Sequence, residues 1–124
     1  MLAALLKSLE SVVVPEQVSL HFLVVENDSR KSLDEQVTAF AARMPDHIVQ
    51  YRLEPRIGIS HSRNCALNHA VDNGHDFLVF IDDDEIPEPN WLIELFAEQQ
   101  RESLDIVGSP VRPMPVEGKL NIWQ

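Results

Sequence analysis

Three consecutive carboxylates, Asp82-Asp83-Asp84, follow directly on the apolar run Phe77 to Ile81. Residues two apart on an extended chain point the same way, so Asp82 and Asp84 can address one hard cation while Asp83 turns elsewhere. Magnesium or manganese held in this way keeps coordination positions free for a diphosphate. The competing account is that acidic residues after a strand decorate a loop or cap the next helix. Repulsion among three adjacent carboxylates favours the cation, which relieves it. A second polar group, Glu26-Asn27-Asp28-Ser29, closes the β-rich run Val18 to Val25. A third candidate is Arg63-Asn64 after the glycine-containing loop Gly58-Ile59-Ser60-His61-Ser62, where backbone amides and a guanidinium can face an anionic ligand. Taken alone, that pair reads equally well as an exposed arginine near a helix start capped by Ser60 or Ser62. His61 and His69 are read as structural or exposed, because no histidine pair has the compact spacing of a zinc motif.

The elements that must carry these groups alternate regularly. Leu2, Leu5, Leu6, Leu9 and Val13 follow helical spacing, which predicts an amphipathic helix over Leu2 to Val13. A strand is expected over Val18 to Val25. Ser32-Leu33-Asp34-Glu35 has the form of a capping box before a helix carrying Val37, Phe40, Ala41 and Met44, stopped by Pro45. Ile48 to Leu53 predicts a short strand, followed by a helix near Ser60 that turns Ala66, Leu67, Ala70 and Val71 inward and ends before Gly74. Phe77 to Ile81 has the continuous apolar pattern of a strand covered on both faces. A helix with Trp91, Leu92, Leu95 and Phe96 comes next, then a strand around Asp105 to Ser109 and an irregular tail marked by Pro110, Pro113 and Pro115. This order argues for an α/β fold, a mostly parallel sheet with helices on both faces. In such a sheet ligands bind at the carboxyl ends of the strands, so Glu26 and Arg63 are expected on the same rim as Asp82.

Composition narrows the function classes. The 124 residues have the size of one domain, 1–124, and 44% of them are hydrophobic, enough for a core. Twenty acidic against ten basic residues give a formal charge of -10, which disfavours nucleic acid as a partner. One cysteine, Cys65, permits neither a disulfide framework nor a cysteine-rich zinc site and suits a reducing cytoplasmic setting. The N-terminus lacks the pattern of a signal peptide, and no apolar run reaches the length of a membrane span, so the expectation is a soluble protein with at most peripheral contact at the inner face of a membrane.

Taken jointly, VVENDS, GISHSRNCALNHA, FLVFIDDDEIPEPNWL and DIVGSPVRP resemble, in order and approximate spacing, the family-two glycosyltransferases, over about Leu2 to Pro113. The resemblance implies a three-layer α/β/α, Rossmann-like GT-A nucleotide-diphospho-sugar transferase fold, partial here. It also implies transfer of a sugar from a nucleotide-diphospho-sugar donor to a carbohydrate or lipid-linked acceptor, usually with inversion, with Mn2+ or Mg2+ as cofactor. The DxD element of the family matches Asp82, Asp83 and Asp84, with Asp82 and Asp84 near the metal. Its base-holding acidic residue matches Glu26, where aspartate is usual, and Asp28 stands where glycine or asparagine is common. Arg63 and Asn64 match the Arg-Asn pair beside the nucleotide.

Two elements of the family find no match between Met1 and Gln124. One is a first strand, which in that fold lies between the strand ending at Glu26 and the strand ending at Asp82. The other is the downstream acidic pair that supplies the general base, so no residue is assigned that role. The 124-residue chain is accordingly expected to be marginally stable, to self-associate, or to close the gap by pairing those two strands directly. Competing readings are a truncated transferase remnant that binds nucleotide or nothing, and a haloacid-dehalogenase-type phosphatase built on Asp82 and Asp84. The phosphatase requires threonine or valine where Ile86 stands and usually carries its motif early in the chain. A response-regulator receiver shares the length and the acidic strand ends but lacks a convincing phosphoacceptor and lysine.

Overall fold

A computed structural model of the chain describes residues 1–113. The leucine stripe forms α1 (Leu2–Leu9), which buries Leu5, Leu6 and Leu9. The helix stops earlier than its periodicity predicts. The Ser11 and Val12 amides turn back to Ser8 and Leu9, and the Val13 amide donates to the Pro89 carbonyl at 2.8 Å, so Val13 belongs to a loop contact. The order continues with β1 (His21–Glu26), α2 (Asp34–Arg43), β2 (Ile48–Leu53), α3 (Ile59–Asp72) and α4 (Trp91–Glu102). β1 and β2 pair in parallel, from His21 opposite Ile48 to Glu26 opposite Leu53. β1 starts later than Val18 because the ladder begins only where Ile48 supplies a partner.

Phe22 and Val24 of β1 and Val49 of β2 face one side of the sheet, where they pack with Ile81 against Leu5, Leu6, Leu9, Phe40 and Met44. Phe40 is fully buried, its ring edge-on to Phe22 at a centroid distance of 5.2 Å. Thus α1 and α2 form one layer. The third layer is α3, which reaches β1 on the other face. Its end is a Schellman motif: the Gly74 amide, at φ 67°, donates to the Val71 carbonyl and the His75 amide to that of Ala70. The motif delivers the His75 ring to His21 of β1, 4.9 Å away and edge-on. No helix among the described residues is long and apolar enough to cross a membrane.

Several expectations are corrected. Ser32 does not cap α2: the helix starts after Leu33 without a side-chain cap, because the Ser32 hydroxyl is drawn to the Glu26 carboxylate. Ser60 and Ser62 do not cap α3, whose N-cap is Gly58. On α3 only Ala70 of the four residues expected inward is buried. Leu67 and Val71 stay 47% and 69% exposed, since the helix rests through His69 and Ala70 on a sheet that among the described residues is two strands wide. The runs Phe77 to Ile81 and Asp105 to Ser109 form no ladder among the described residues. A strand is defined by hydrogen-bonded neighbours, and apolar content alone does not supply one. Instead, Phe77 packs edge-on against Phe96 of α4 at 5.6 Å, Ile81 reaches the core, and Ser109 accepts a hydrogen bond from the Trp91 indole at 3.1 Å. β1 does not close the gap by pairing with this run. Pro115 lies outside the described residues.

Phe77, Val79 and Phe80 are therefore half-exposed on a run whose backbone forms no ladder among the described residues, an edge prone to pairing between chains. The 124-residue chain is expected to self-associate through this run and to unfold with about 5 kcal/mol or less, the low end for a domain. Sedimentation velocity across a concentration series checks this, with Val79→Lys restoring the monomer. A monomer at every concentration would show that the edge is protected.

Candidate functional site

Parallel pairing brings the carboxyl ends of β1 and β2 to one rim, where the Glu54 amide donates to the Glu26 carbonyl at 2.8 Å. Past that bond the side chains take over. Asn27 donates through Nδ2 to the carbonyls of Glu54 and Arg56, both at 2.8 Å, and accepts from the Gly58 amide at 2.7 Å. Gly58 holds φ 139°, a conformation L side chains rarely adopt, and opens α3. Arg56 grips the Glu54 carboxylate with Nε at 2.8 Å, Nη2 at 2.9 Å and its own amide at 3.0 Å.

One helical turn into α3, Arg63 extends Nη2 to the Asp82 carboxylate, 3.3 Å from Oδ1 and 3.5 Å from Oδ2, with its guanidinium carbon 5.7 Å from the Phe80 ring centroid. The structure thus brings together two predicted site residues that lie 19 positions apart. Both are about half-exposed, so the pair contributes only about 0–1 kcal/mol to stability. Its consequence is placement of a cation and an anion at one point of the rim. Asn64, beside Arg63, is exposed.

The acidic triplet departs from the extended geometry expected of it. The chain turns at Asp83-Asp84, with the Glu85 amide donating to the Asp82 carbonyl at 3.1 Å and the Asp82 amide to the Glu85 carboxylate at 3.1 Å. Strict alternation of neighbours therefore does not hold. Asp83 and Asp84 line one hollow of about 250 Å³ with Met1, Ala4 and Ile86, while Asp82 addresses Arg63. Among the described residues no cluster of three histidine, cysteine, aspartate or glutamate side chains is poised around one metal position.

Glu26 is buried at 8% exposure, with its carboxylate engaged. The Ser32 amide donates to Oε2 at 2.9 Å, the Ser32 hydroxyl to Oε1 and the Tyr51 hydroxyl to Oε2, while Tyr51 in turn accepts from the Leu33 amide at 3.2 Å. Burial pushes the Glu26 pKa up, and the bonds from Ser32 and Tyr51 outweigh it and hold the group below its ordinary value. Its own burial and the same carboxylate push the Tyr51 hydroxyl up. Glu26 stands at the end of β1 as expected, but its side chain is spent on the 27–33 loop. Asp28 is exposed and accepts from the Ser29 amide at 2.5 Å. Tyr51, Glu54 and Arg56 have no site role in the sequence, and Ser32 reads there only as a helix cap. The one signal available for Asn27 is its turn position, since asparagine side chains hydrogen-bond nearby backbone.

Arg56 depresses the Glu54 pKa from 4.5 to about 2. A depressed carboxylate adds stability that is fully present above its unfolded pKa and lost as pH falls through the folded one. The contribution of this pair therefore fades between about pH 4.5 and about 2. Urea midpoints of the protein and of Glu54→Gln, measured down this range, are expected to converge. A constant difference would show that the bonded carboxylate adds nothing linked to protons.

This geometry can be set beside known proteins. The model of the family described as Glycosyl transferase family 2 matches residues 2–123. The succinoglycan biosynthesis protein ExoM of Rhizobium meliloti (strain 1021) is 35% identical over 111 residues, which cover 90% of this chain and 35% of that protein. The chain thus spans about a third of the length of this curated relative. No solved structure matches it. The three layers and parallel sheet are those of a partial GT-A fold, and the chain belongs to glycosyl transferase family 2.

Proposed function

We propose that this chain is the donor-binding portion of a glycosyltransferase that moves a sugar from a nucleotide-diphospho-sugar to a hydroxyl of a carbohydrate or lipid-linked acceptor, with inversion and with Mn2+ or Mg2+. The observation that carries the reading is the convergence of Arg63 and Asp82 at the rim, beside Asp83 and Asp84. Family membership supports the sugar-transfer class, and the relative named for succinoglycan biosynthesis supports a role in polysaccharide assembly.

The donor set suits such an ion. Carboxylate oxygens are hard ligands, and Mg2+ is commonly held by one or two carboxylates, with substrate phosphates and waters completing the shell. A protein cage of three side chains is not required, in keeping with the open triplet. Asp82 and Asp84 would hold the ion, which when bound neutralises charge developing on the diphosphate leaving group. Arg63 adds a fixed cation to the same end of the donor, after exchanging its contact with Asp82 for one with phosphate. Asp28, Asn64 and Asp83 would contact the donor beside them. Glu26 acts by shaping the 27–33 loop against which the base rests.

The phosphatase reading has no support from the family match. The second reading is a non-catalytic unit that binds nucleotide or nothing. Calorimetric titration with Mn2+ and each of UDP, GDP, ADP and CDP is expected to give a metal-dependent complex with one of them. Asp82→Ala/Asp84→Ala should weaken it at least about tenfold, or about 1.4 kcal/mol. Equal binding by the double variant would reject the assignment, and hydrolysis of the cognate donor would separate enzyme from remnant.

A further inference from the structure

We propose that Asn27 is the positioning residue of this site: its amide fixes the 54–58 loop and the first turn of α3, and so sets Arg63 opposite Asp82. The inference rests on the donor-site reading. Asn27 is the first residue after β1, and its side chain uses both donors and one acceptor site on main-chain groups of a single loop. Those groups span Glu54 to Gly58, the whole connection between β2 and α3. Each would otherwise face a turn with no ladder partner. The three bonds therefore fold the connection onto the end of β1 with one register.

The path from Gly58 to the guanidinium is mechanically short. The Gly58 carbonyl accepts from the His61 amide at 2.9 Å and the Ser62 amide at 3.3 Å, so the residue held by Asn27 also starts the helix. Arg63 comes five residues later, about 7.5 Å along the axis at 1.5 Å per residue. A tilt or slip at Gly58 is carried rigidly to the guanidinium. Arg63 touches Asp82 only through an exposed contact of 3.3 Å, too weak to correct such an error by itself. Nor does α3 have much else to orient it. Leu67 and Val71 are exposed, and the firm contacts lie at its other end, around His69, Ala70 and His75. At the N-terminal end the Arg56–Glu54 bonds stiffen the loop within itself and Phe80 lies near Arg63, while Asn27 is the side chain that ties the loop and the Gly58 amide to the end of β1.

Asn27→Ala removes all three bonds, and Asn27→Asp keeps an acceptor for the Gly58 amide while losing both donors. Affinity for the Mn2+-nucleoside diphosphate complex is expected to fall about tenfold in Asn27→Ala and by less in Asn27→Asp. Asn27→Ala/Arg63→Ala should bind within about twofold of Arg63→Ala alone, because the asparagine acts through the arginine. Val37→Ala, which loosens the core beneath α2, should lower stability and leave affinity unchanged. Full additivity of the Asn27 and Arg63 effects, or an affinity loss in Val37→Ala equal to that in Asn27→Ala, overturns the proposal. Hydrogen exchange without ligand is the second readout. The Gly58, His61 and Ser62 amides should lose protection in Asn27→Ala while β2 keeps its own. If wild type binds no diphosphate, the donor-site reading fails. Unchanged exchange at those three amides would then overturn the role of Asn27 as well, and their selective loss would uphold it. Should Asn27→Ala not fold, the same measurements on Asn27→Asp decide.

Discussion

The Glu54 amide donates to the Glu26 carbonyl at 2.8 Å, and that bond joins the ends of β1 and β2 where both chains leave the sheet. Parallel strands offer no short turn to fix their relative position, so register must come from packing and from the ladder itself. Here Phe22, Val24 and Val49 set it by entering one apolar layer around the buried Phe40. A slip of one residue would send this set to the opposite face and part Glu26 from Tyr51. The rim chemistry thus depends on an alternation of side chains seated in the core beneath α1 and α2.

Burying the Glu26 carboxylate carries a desolvation cost that only dense hydrogen bonding offsets. Ser32 supplies two donors and Tyr51 one, and because these partners sit on a loop and on β2, satisfying the charge also folds the 27–33 loop back over the sheet edge. Lys31 then lies 4.5 Å from the Tyr51 ring centroid, a cation placed on the face of the ring whose hydroxyl serves Glu26. In this chain an acidic residue at a strand end is an architectural element. Acid type and position resemble a ligand contact, and three of the roughly four acceptor sites of the carboxylate are taken by Ser32 and Tyr51.

This separates what residue type discloses from what it conceals. The stripe Leu5, Leu6, Leu9 and the set Val37, Phe40, Met44 are legible because burial follows helical periodicity, and all six are buried. Ile48 to Leu53 is legible because β-branched and aromatic residues run between a proline turn and a second proline. The nearness of Arg63 and Asp82 follows from the order of the elements and the rim rule. Ser32 misleads because its spacing fits a capping box, and only the three-dimensional neighbourhood reveals a buried carboxylate competing for the same hydroxyl. Leu67 and Val71 mislead because periodicity reports that a face is apolar without reporting whether a partner is wide enough to cover it. Asn27 is legible as a turn asparagine, but its partners 27 to 31 residues away are not, because main-chain groups leave no trace in residue identity.

The run Phe77 to Ile81 shows how these effects combine at the site. Asp82 stands at its end, so in a paired strand the sheet would hold the carboxylate in place. Among the described residues the run has no ladder, and its position comes from Ile81 in the core, Phe77 against Phe96, and Phe80 beneath the Arg63 guanidinium. Two of these contacts fix the run from below, and the third ties it to α3. The acidic triplet is consequently held by side-chain packing along the run and by charge at the tip. A turn closed by the Glu85 and Asp82 amides fixes the backbone of the triplet through local bonds that do not depend on the sheet. Because α3 is tied to β1 through Asn27 and to the triplet through Arg63, the helix is a second physical connection, beside Ile81 in the core, between the paired strands and a run that has no ladder among the described residues.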